Sequence, residues 1–169
     1  MPKLIKNSEI IDNTAQILDK DFSGDLPPSN KDTLVFAPLC YLVEHSGSMK
    51  NAISEGNGVG VWIDSDESPE ALAPFLEDLQ YIAINFPKFS DGRGYSYARI
   101  LRDRYGYKGE LRAIGDVLHD QLFFYKRCGF DVFVVREDKD IKIAHQGLND
   151  FSNSYQVSTD QPLPLFRRR

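Results

Sequence analysis

The sequence of 169 residues contains only two cysteines and three histidines. Cys40 and Cys128 lie far apart and outside any CxxC pattern, which gives no support for a disulfide scaffold or a four-thiolate iron–sulfur cluster. The histidines His45, His119 and His145 are equally scattered, so a structural zinc site is not expected either. We therefore expect no bound metal and find no evident cofactor motif.

Long apolar runs are also missing. No stretch approaches the roughly 20 apolar residues of a membrane span, and residues 1–6 lack the apolar region of a signal peptide. We expect a cytoplasmic protein that binds no membrane. Hydrophobic residues nevertheless make up 41% of the chain and aromatic residues 12%, which is enough for the core of one domain.

The net charge of -5 is unevenly distributed along the chain. Residues 88–112 contain seven basic and three acidic residues, whereas residues 1–87 contain five basic and fourteen acidic ones. A cationic segment in an acidic protein favours a small anion, while nucleic acid ordinarily requires a broader basic face. A solvated basic helix face is the alternative interpretation.

Composition and turn signals divide the chain into three parts. Residues 1–32 are expected to form a loosely attached N-terminal segment, and residues 157–169 an extended basic tail. Residues 33–156 alternate apolar strands with amphipathic helices, a pattern typical of βα units. The predicted strands cover residues 59–63, 80–86, 110–114 and 131–135. The sequence thus predicts an α/β domain with a small, mostly parallel open sheet of four to five βα units, half-barrel-like or doubly wound.

The loop after the second of these strands carries a candidate anion site. Open α/β sheets bind ligands at the carboxyl ends of their strands, where helix N-termini favour negative charge. The loop contains two glycines and two cations, and we predict that Lys88, Asp91, Gly92, Arg93 and Gly94 bind phosphate, sulfate, sulfite or a carboxylate. Asp91 repels an anion unless it pairs with Arg93, and a purely structural pair is the alternative.

Glycine spacing does not indicate a nucleotide site. Gly92 and Gly94 lack the third glycine of a dinucleotide fingerprint. Gly56, Gly58 and Gly60 precede a predicted strand instead of following one, and we expect them to form a turn.

Two other groups of residues are candidates for function. Asp116 and His119 lie three positions apart at a strand-to-helix junction and can share a face as an acid/base pair, with a helix cap as the alternative. Arg99 and Arg102 are predicted on the outer side of a helix, where with Arg112 they would form a cationic face for a partner.

Residues 86–133, FPKFSDGRGYSYARILRDRYGYKGELRAIGDVLHDQLFFYKRCGFDVF, resemble the signature of a bacterial family catalogued as domain of unknown function 934. The family is commonly labelled a probable oxidoreductase of sulfite reduction, and its members are usually associated with the sulfite reductase haemoprotein. The resemblance implies a role near assimilatory sulfate reduction without giving established catalytic residues. Because the residues show no nicotinamide fingerprint, cluster ligands or redox-active thiol pair, any electron transfer requires a borrowed cofactor.

These observations predict an accessory protein of assimilatory sulfite or sulfate reduction. It binds a small oxyanion, or the sulfite reductase itself, through the cationic loop and helix. Two alternatives remain open. One is a small α/β enzyme acting on a phosphorylated or sulfonated metabolite, with Asp116 or His119 as acid/base and Arg93 as anion clamp. The other is a flavin-dependent reductase.

Overall fold

The computed structural model describes residues 2–56, 58–149 and 154–168. In these ranges eight strands form one sheet: β1 Lys3–Lys6, β2 Glu9–Asp12, β3 Gln16–Ile17, β4 Val35–Pro38, β5 Val59–Ile63, β6 Tyr81–Phe86, β7 Glu110–Gly115 and β8 Val132–Phe133. The α-helices are α1 Leu39–Glu44, α2 Ser46–Ser54, α3 Arg93–Arg99, α4 Leu122–Cys128 and α5 Ile141–Gly147. Short 3₁₀ or π segments complete the set: Pro69–Phe75, Ile100–Arg104, His119–Gln121 and Leu165–Arg167.

The sheet order is β2-β1-β8-β7-β6-β5-β4-β3. Strands β3 to β8 are parallel neighbours in chain order, and the prediction of four parallel strands is confirmed. Strands β1 and β2 pair antiparallel, so the sheet is mixed and larger than the predicted four to five units. A doubly wound sheet requires a reversal of strand order. The sequential order of β3 to β8 instead matches the predicted half-barrel, in which crossovers of one hand place the helices on the same face.

The sheet is strongly curled. Three strand spacings separate β4 from β7, which is about 14 Å in a flat sheet. The guanidinium carbon of Arg112 in β7 nevertheless lies 4.9 Å from the ring centroid of Phe36 in β4. The two edge strands are also joined by residues 13–15 alone, a link that spans at most about 14 Å. The N-terminal residues thus provide the strands at both edges of an open, curled half-barrel.

Both faces of the parallel strands are buried, which explains their near-continuous apolar sequences. Alternate residues such as Val61, Ile82 and Leu111 face the helices. The residues between them face the inside of the curled sheet. They contribute to a smaller buried cluster, which consists of Leu34, Phe36, Trp62, Ala83 and Ile114.

Gly60 lies inside strand β5, so the expected turn role is wrong for this glycine. A Cβ atom there would lie 2.7 Å from the Phe36 ring and 2.9 Å from Cβ of Tyr81. The missing side chain therefore leaves room for the Phe36 ring inside the curl. Gly58 keeps a positive φ of 71° just before the strand.

The N-terminal segment is an integral part of the sheet and is not loosely attached. Leu4 and Ile5 of β1 are buried, and the Trp62 indole donates a hydrogen bond of 2.8 Å to the Leu18 carbonyl oxygen. Strand β1 has β8, which lies far later in the chain, as its second partner, and the local sequence of residues 1–32 does not indicate this pairing.

The C-terminal segment is attached through polar contacts. Ser158 is buried and its hydroxyl donates to the Arg127 carbonyl oxygen at 2.6 Å, while Arg127 donates to the Gln156 carbonyl oxygen. The last residue of the predicted basic tail, Arg169, lies outside the described residues. No helix in the described ranges has the length and apolar character needed to cross a membrane.

Candidate functional site

Polar side chains line the carboxyl ends of the parallel strands. Asp64 follows β5, Asn85 lies near the end of β6, Asp116 follows β7 and Arg136 lies beyond β8. Asn85 donates to Asp64 at 3.0 Å, and Arg136 donates to Asp116 at 2.8 Å. Because these strands are parallel, their carboxyl ends bring these residues to one end of the sheet, where α/β sheets bind ligands.

Lys20 lies beside Asp64 at this end of the sheet. Its ammonium lies 2.8 Å from a carboxylate oxygen of Asp66 and 3.2 Å from one of Asp64, and the bond to Asp66 raises the pKa of Lys20. Partial burial opposes ionisation of Asp64, but hydrogen bonds from Asn85 and Ser65 still lower its pKa. Lys20 and Asn85 were not predicted from the sequence as residues of the site. Asn85 was detectable as an amide within an apolar strand, whereas Lys20 gives no local signal.

The predicted anion loop contains a closed ion pair. Arg93 Nε and Nη2 donate to the two carboxylate oxygens of Asp91 at 2.9 and 2.7 Å, and Nη2 also donates to Ser65 Oγ at 3.1 Å. The hydrogen bonds from Arg93 hold the pKa of Asp91 well below its usual range. The structure therefore contains the Asp91–Arg93 pair that was the alternative to an anion site, and the pair is bidentate. The Asp91 carboxylate lies beside the guanidinium that was predicted to bind an anion.

The two glycines of this loop have different surroundings. Gly92 precedes helix α3, and the nearest atom to a Cβ there is a Tyr95 ring carbon at 3.9 Å. At Gly94 a Cβ would lie 2.5 Å from the Phe86 ring. Gly94 is buried and permits close packing of α3 on β6, which is a structural reason for this glycine. Lys88, the remaining predicted residue, is exposed at the same loop.

Asp116 and His119 do not form the predicted acid/base pair. The Asp116 carboxylate accepts hydrogen bonds from Arg136 Nη1 and from the Phe89 N–H, both at 2.8 Å, and these contacts lower its pKa. His119 is exposed in a 3₁₀ turn, and no hydrogen bond joins it to Asp116 in the described structure. Asp116 instead connects the ends of β7 and β8 with the loop after β6.

The three arginines predicted on one partner face point in different directions. Arg99 is exposed and pairs with Asp103 at 3.1 Å, whereas the side chains of Arg102 and Arg112 are only 12% and 4% exposed. Helix α3 widens into a π turn, in which the Tyr105 N–H donates to the Ile100 carbonyl oxygen. Arg102 lies within this π segment, and its side chain is directed inward. The predicted shared face of these three arginines is therefore wrong.

Phe89 combines a fixed backbone with an exposed ring. Its N–H donates to Asp116, and its carbonyl oxygen accepts a hydrogen bond of 3.2 Å from the Gln121 amide. The side chain is 53% exposed. The sequence places Phe89 in the loop but indicates no role for it, because Asp116 and Gln121, which form hydrogen bonds with its backbone, belong to the following βα unit.

No cluster of three or more metal-binding side chains occurs in the part of the chain that the structure describes. A model of the family described as "Bacterial protein of unknown function (DUF934)" matches residues 60–166. The chain belongs to the DUF934 family. The match runs from β5 to the C-terminal segment, so the DUF934 region contains every residue predicted for the site. A search of curated proteins finds no match.

Proposed function

We propose that this DUF934 protein is an accessory protein of sulfite reduction that binds the sulfite reductase haemoprotein through the loop of residues 87–93. Membership of the family supports the pathway, through the association that the resemblance implies. The observation that carries the binding mode is the geometry of Phe89. Two side chains from another unit fix the backbone of this residue, while its ring faces solvent.

An anchored aromatic ring suits protein recognition. Aromatic side chains supply much of the binding energy at interfaces, and a loop held in one conformation loses little entropy on binding. A second aromatic ring, Phe124, is 51% exposed and lies three residues after Gln121. The two exposed rings thus lie on segments that the Gln121 hydrogen bond to the Phe89 carbonyl oxygen joins.

The charges of the loop favour a protein partner over a free oxyanion. Arg93 is already neutralised by Asp91, so a small anion must compete with a fixed carboxylate. Lys88 is exposed and has no ion pair within the described ranges, which leaves it available to a partner carboxylate. The expected partner surface is an apolar pocket with an acidic group at its rim.

The test is a binding measurement between the purified protein and the purified sulfite reductase haemoprotein of the same host. Phe89→Ser should weaken binding about 30-fold, the effect of losing an aromatic hot spot. Phe166→Ser is the matched control, because Phe166 is a 64% exposed aromatic residue in the C-terminal segment. Absence of binding by the unmodified protein, or equal affinity of the Phe89 and Phe166 variants, would contradict the proposal.

A further inference from the structure

The interior of the curled sheet holds a buried cation beside a cavity. The Arg112 side chain is 4% exposed and lines a cavity of about 330 Å³. Residues 11–15 and Leu34 also line this cavity, which places it where the two edges of the sheet approach each other. It is separate from the carboxyl-end loops that carry the proposed partner surface.

The guanidinium of Arg112 is held on two sides. Nε and Nη2 donate to the same carboxylate oxygen of Glu110 at 3.2 and 2.8 Å, and the guanidinium plane lies over the Phe36 ring. Nη1 has no acceptor among the described residues. Nη1 is not one of the fully enclosed polar atoms that lack a partner in the described structure, so it is open to the cavity, where a water molecule or a ligand can accept its hydrogen bond.

Within the group formed by Arg112, Glu110 and Lys6 the charges do not cancel. Glu110 is also the partner of Lys6, whose ammonium lies 2.8 Å from its second carboxylate oxygen. Two cations therefore share one carboxylate. The side chains of Glu110 and Arg112 are 9% and 4% exposed, whereas the side chain of Lys6 is 40% exposed, so solvent screens the charge of Lys6 more than the charges of the buried pair.

We propose that this interior cavity binds a small monovalent oxyanion, a carboxylate or a sulfur oxyanion, on Nη1 of Arg112. Hydrogen bonds from a guanidinium to an oxyanion are charge-assisted and are the strong type in proteins. The anion satisfies the free donor and balances the surplus charge in one step. This site is independent of the proposed binding of the reductase.

The rim of the cavity limits the charge of the ligand. Asp12 and Asp32 line the cavity together with Lys31, and all three residues are exposed. Their charges are screened by water to a greater extent than that of Arg112. The two rim carboxylates disfavour a dianion, so acetate and hydrogen sulfite are better ligands than sulfate.

The fluorescence of the only tryptophan in the sequence can report on binding in the cavity. Trp62 is 7% exposed and belongs to the same interior cluster as Phe36, the ring under Arg112. We would titrate acetate, sulfite and sulfate at constant ionic strength near pH 6, where hydrogen sulfite is the main form of sulfite, following Trp62 fluorescence and the heat of binding. The expected result is a saturable signal for acetate, sulfite or both, with sulfate at least about tenfold weaker.

Two variants remove the site in different ways. Arg112→Met removes the donor and should weaken binding about tenfold or more. Ala15→Leu adds bulk at a lining position without changing charge, and it remains informative if Arg112→Met does not fold. Arg104→Met is the matched control, since Arg104 is a 65% exposed arginine paired with Glu70.

Glu110→Gln gives a result in the opposite direction. It removes the carboxylate that Arg112 and Lys6 share, and the anion should bind more tightly than to the unmodified protein. A purely structural Arg112–Glu110 pair predicts no such gain. The proposal is wrong if no probe gives a saturable signal, or if folded Arg112→Met or Ala15→Leu protein binds with unchanged affinity.

Discussion

The Asp116 carboxylate accepts a hydrogen bond of 2.8 Å from the backbone N–H of Phe89, a residue 27 positions earlier in the chain. Its other oxygen accepts from Arg136, beyond the end of the next strand. One carboxylate therefore fixes three neighbouring strand ends, and the loop that carries Phe89 depends on a side chain from the following βα unit.

Replacing Asp116 should loosen this loop without unfolding the domain. In Asp116→Ala the Phe89 N–H loses its acceptor, and its amide hydrogen should exchange about tenfold faster. Hydrogen exchange followed by NMR measures this directly. Asp120→Ala, a change at an exposed acidic residue nearby, should leave the rate unchanged. Equal exchange rates for Phe89 in both variants would show that the contact does not hold the loop.

Asp116 should also contribute to acid sensitivity. Its pKa in the folded protein is lowered by Arg136 and the Phe89 N–H from an ordinary value of 3.8. A lowered pKa stabilises the folded state above the ordinary value, and this contribution disappears as the pH falls through the folded-state value. Urea unfolding should therefore show a shallower loss of stability below about pH 4 in Asp116→Asn than in the unmodified protein. Parallel curves for the two proteins would contradict this assignment.

Arg102 should be far more important for stability than Arg99. Arg102 donates to the carbonyl oxygens of Tyr107, Gly109 and Gly129 and to Asp131, so Arg102→Met leaves several partly buried acceptors without a donor. We expect a loss of about 3 kcal/mol in the free energy of unfolding. Arg99→Met removes one exposed pair with Asp103 and should change it by less than about 0.5 kcal/mol. Similar losses in denaturant unfolding of both variants would overturn the inward placement of Arg102.

The two loop glycines should differ in the same assay. Gly94→Ala places a methyl group against the Phe86 ring and should cost about 1 to 3 kcal/mol of stability. Gly92→Ala has open space and a φ of -80°, and it should be neutral or slightly stabilising. A tolerated Gly94→Ala would indicate that α3 packs less closely on β6.

Much of the fold could be predicted from local sequence. Near-continuous apolar runs predicted β5, β6 and β7, because strands covered on both faces need apolar residues at every position. Gly129 ends α4 with a φ of 105°, the left-handed conformation for which glycine is the usual residue. Asp140 is a capping residue at the start of helix α5, where its side chain accepts a hydrogen bond from the Lys142 N–H.

The candidate site was predictable in position but not in detail. The rule for strand ends selected the loop after β6, which lies at the same end of the sheet as Asp64, Asp116 and Arg136. Charge counting along the chain then assigned free cations to residues 88–112. It failed because each arginine there has its own environment, and the carboxylates and carbonyl groups that hold Arg102 come from distant segments.

The sequence by itself determined the local elements, their parallel arrangement and membership of the DUF934 family, because apolar periodicity, capping residues and motif spacing are local properties. Only the tertiary structure decided that β1 and β2 join the sheet, that the sheet curls until Arg112 meets Phe36, and that Arg93 is already paired. These outcomes depend on hydrogen bonds, ring contacts and ion pairs between residues brought together by folding. Their free energies arise from burial and distance, which a linear sequence does not contain.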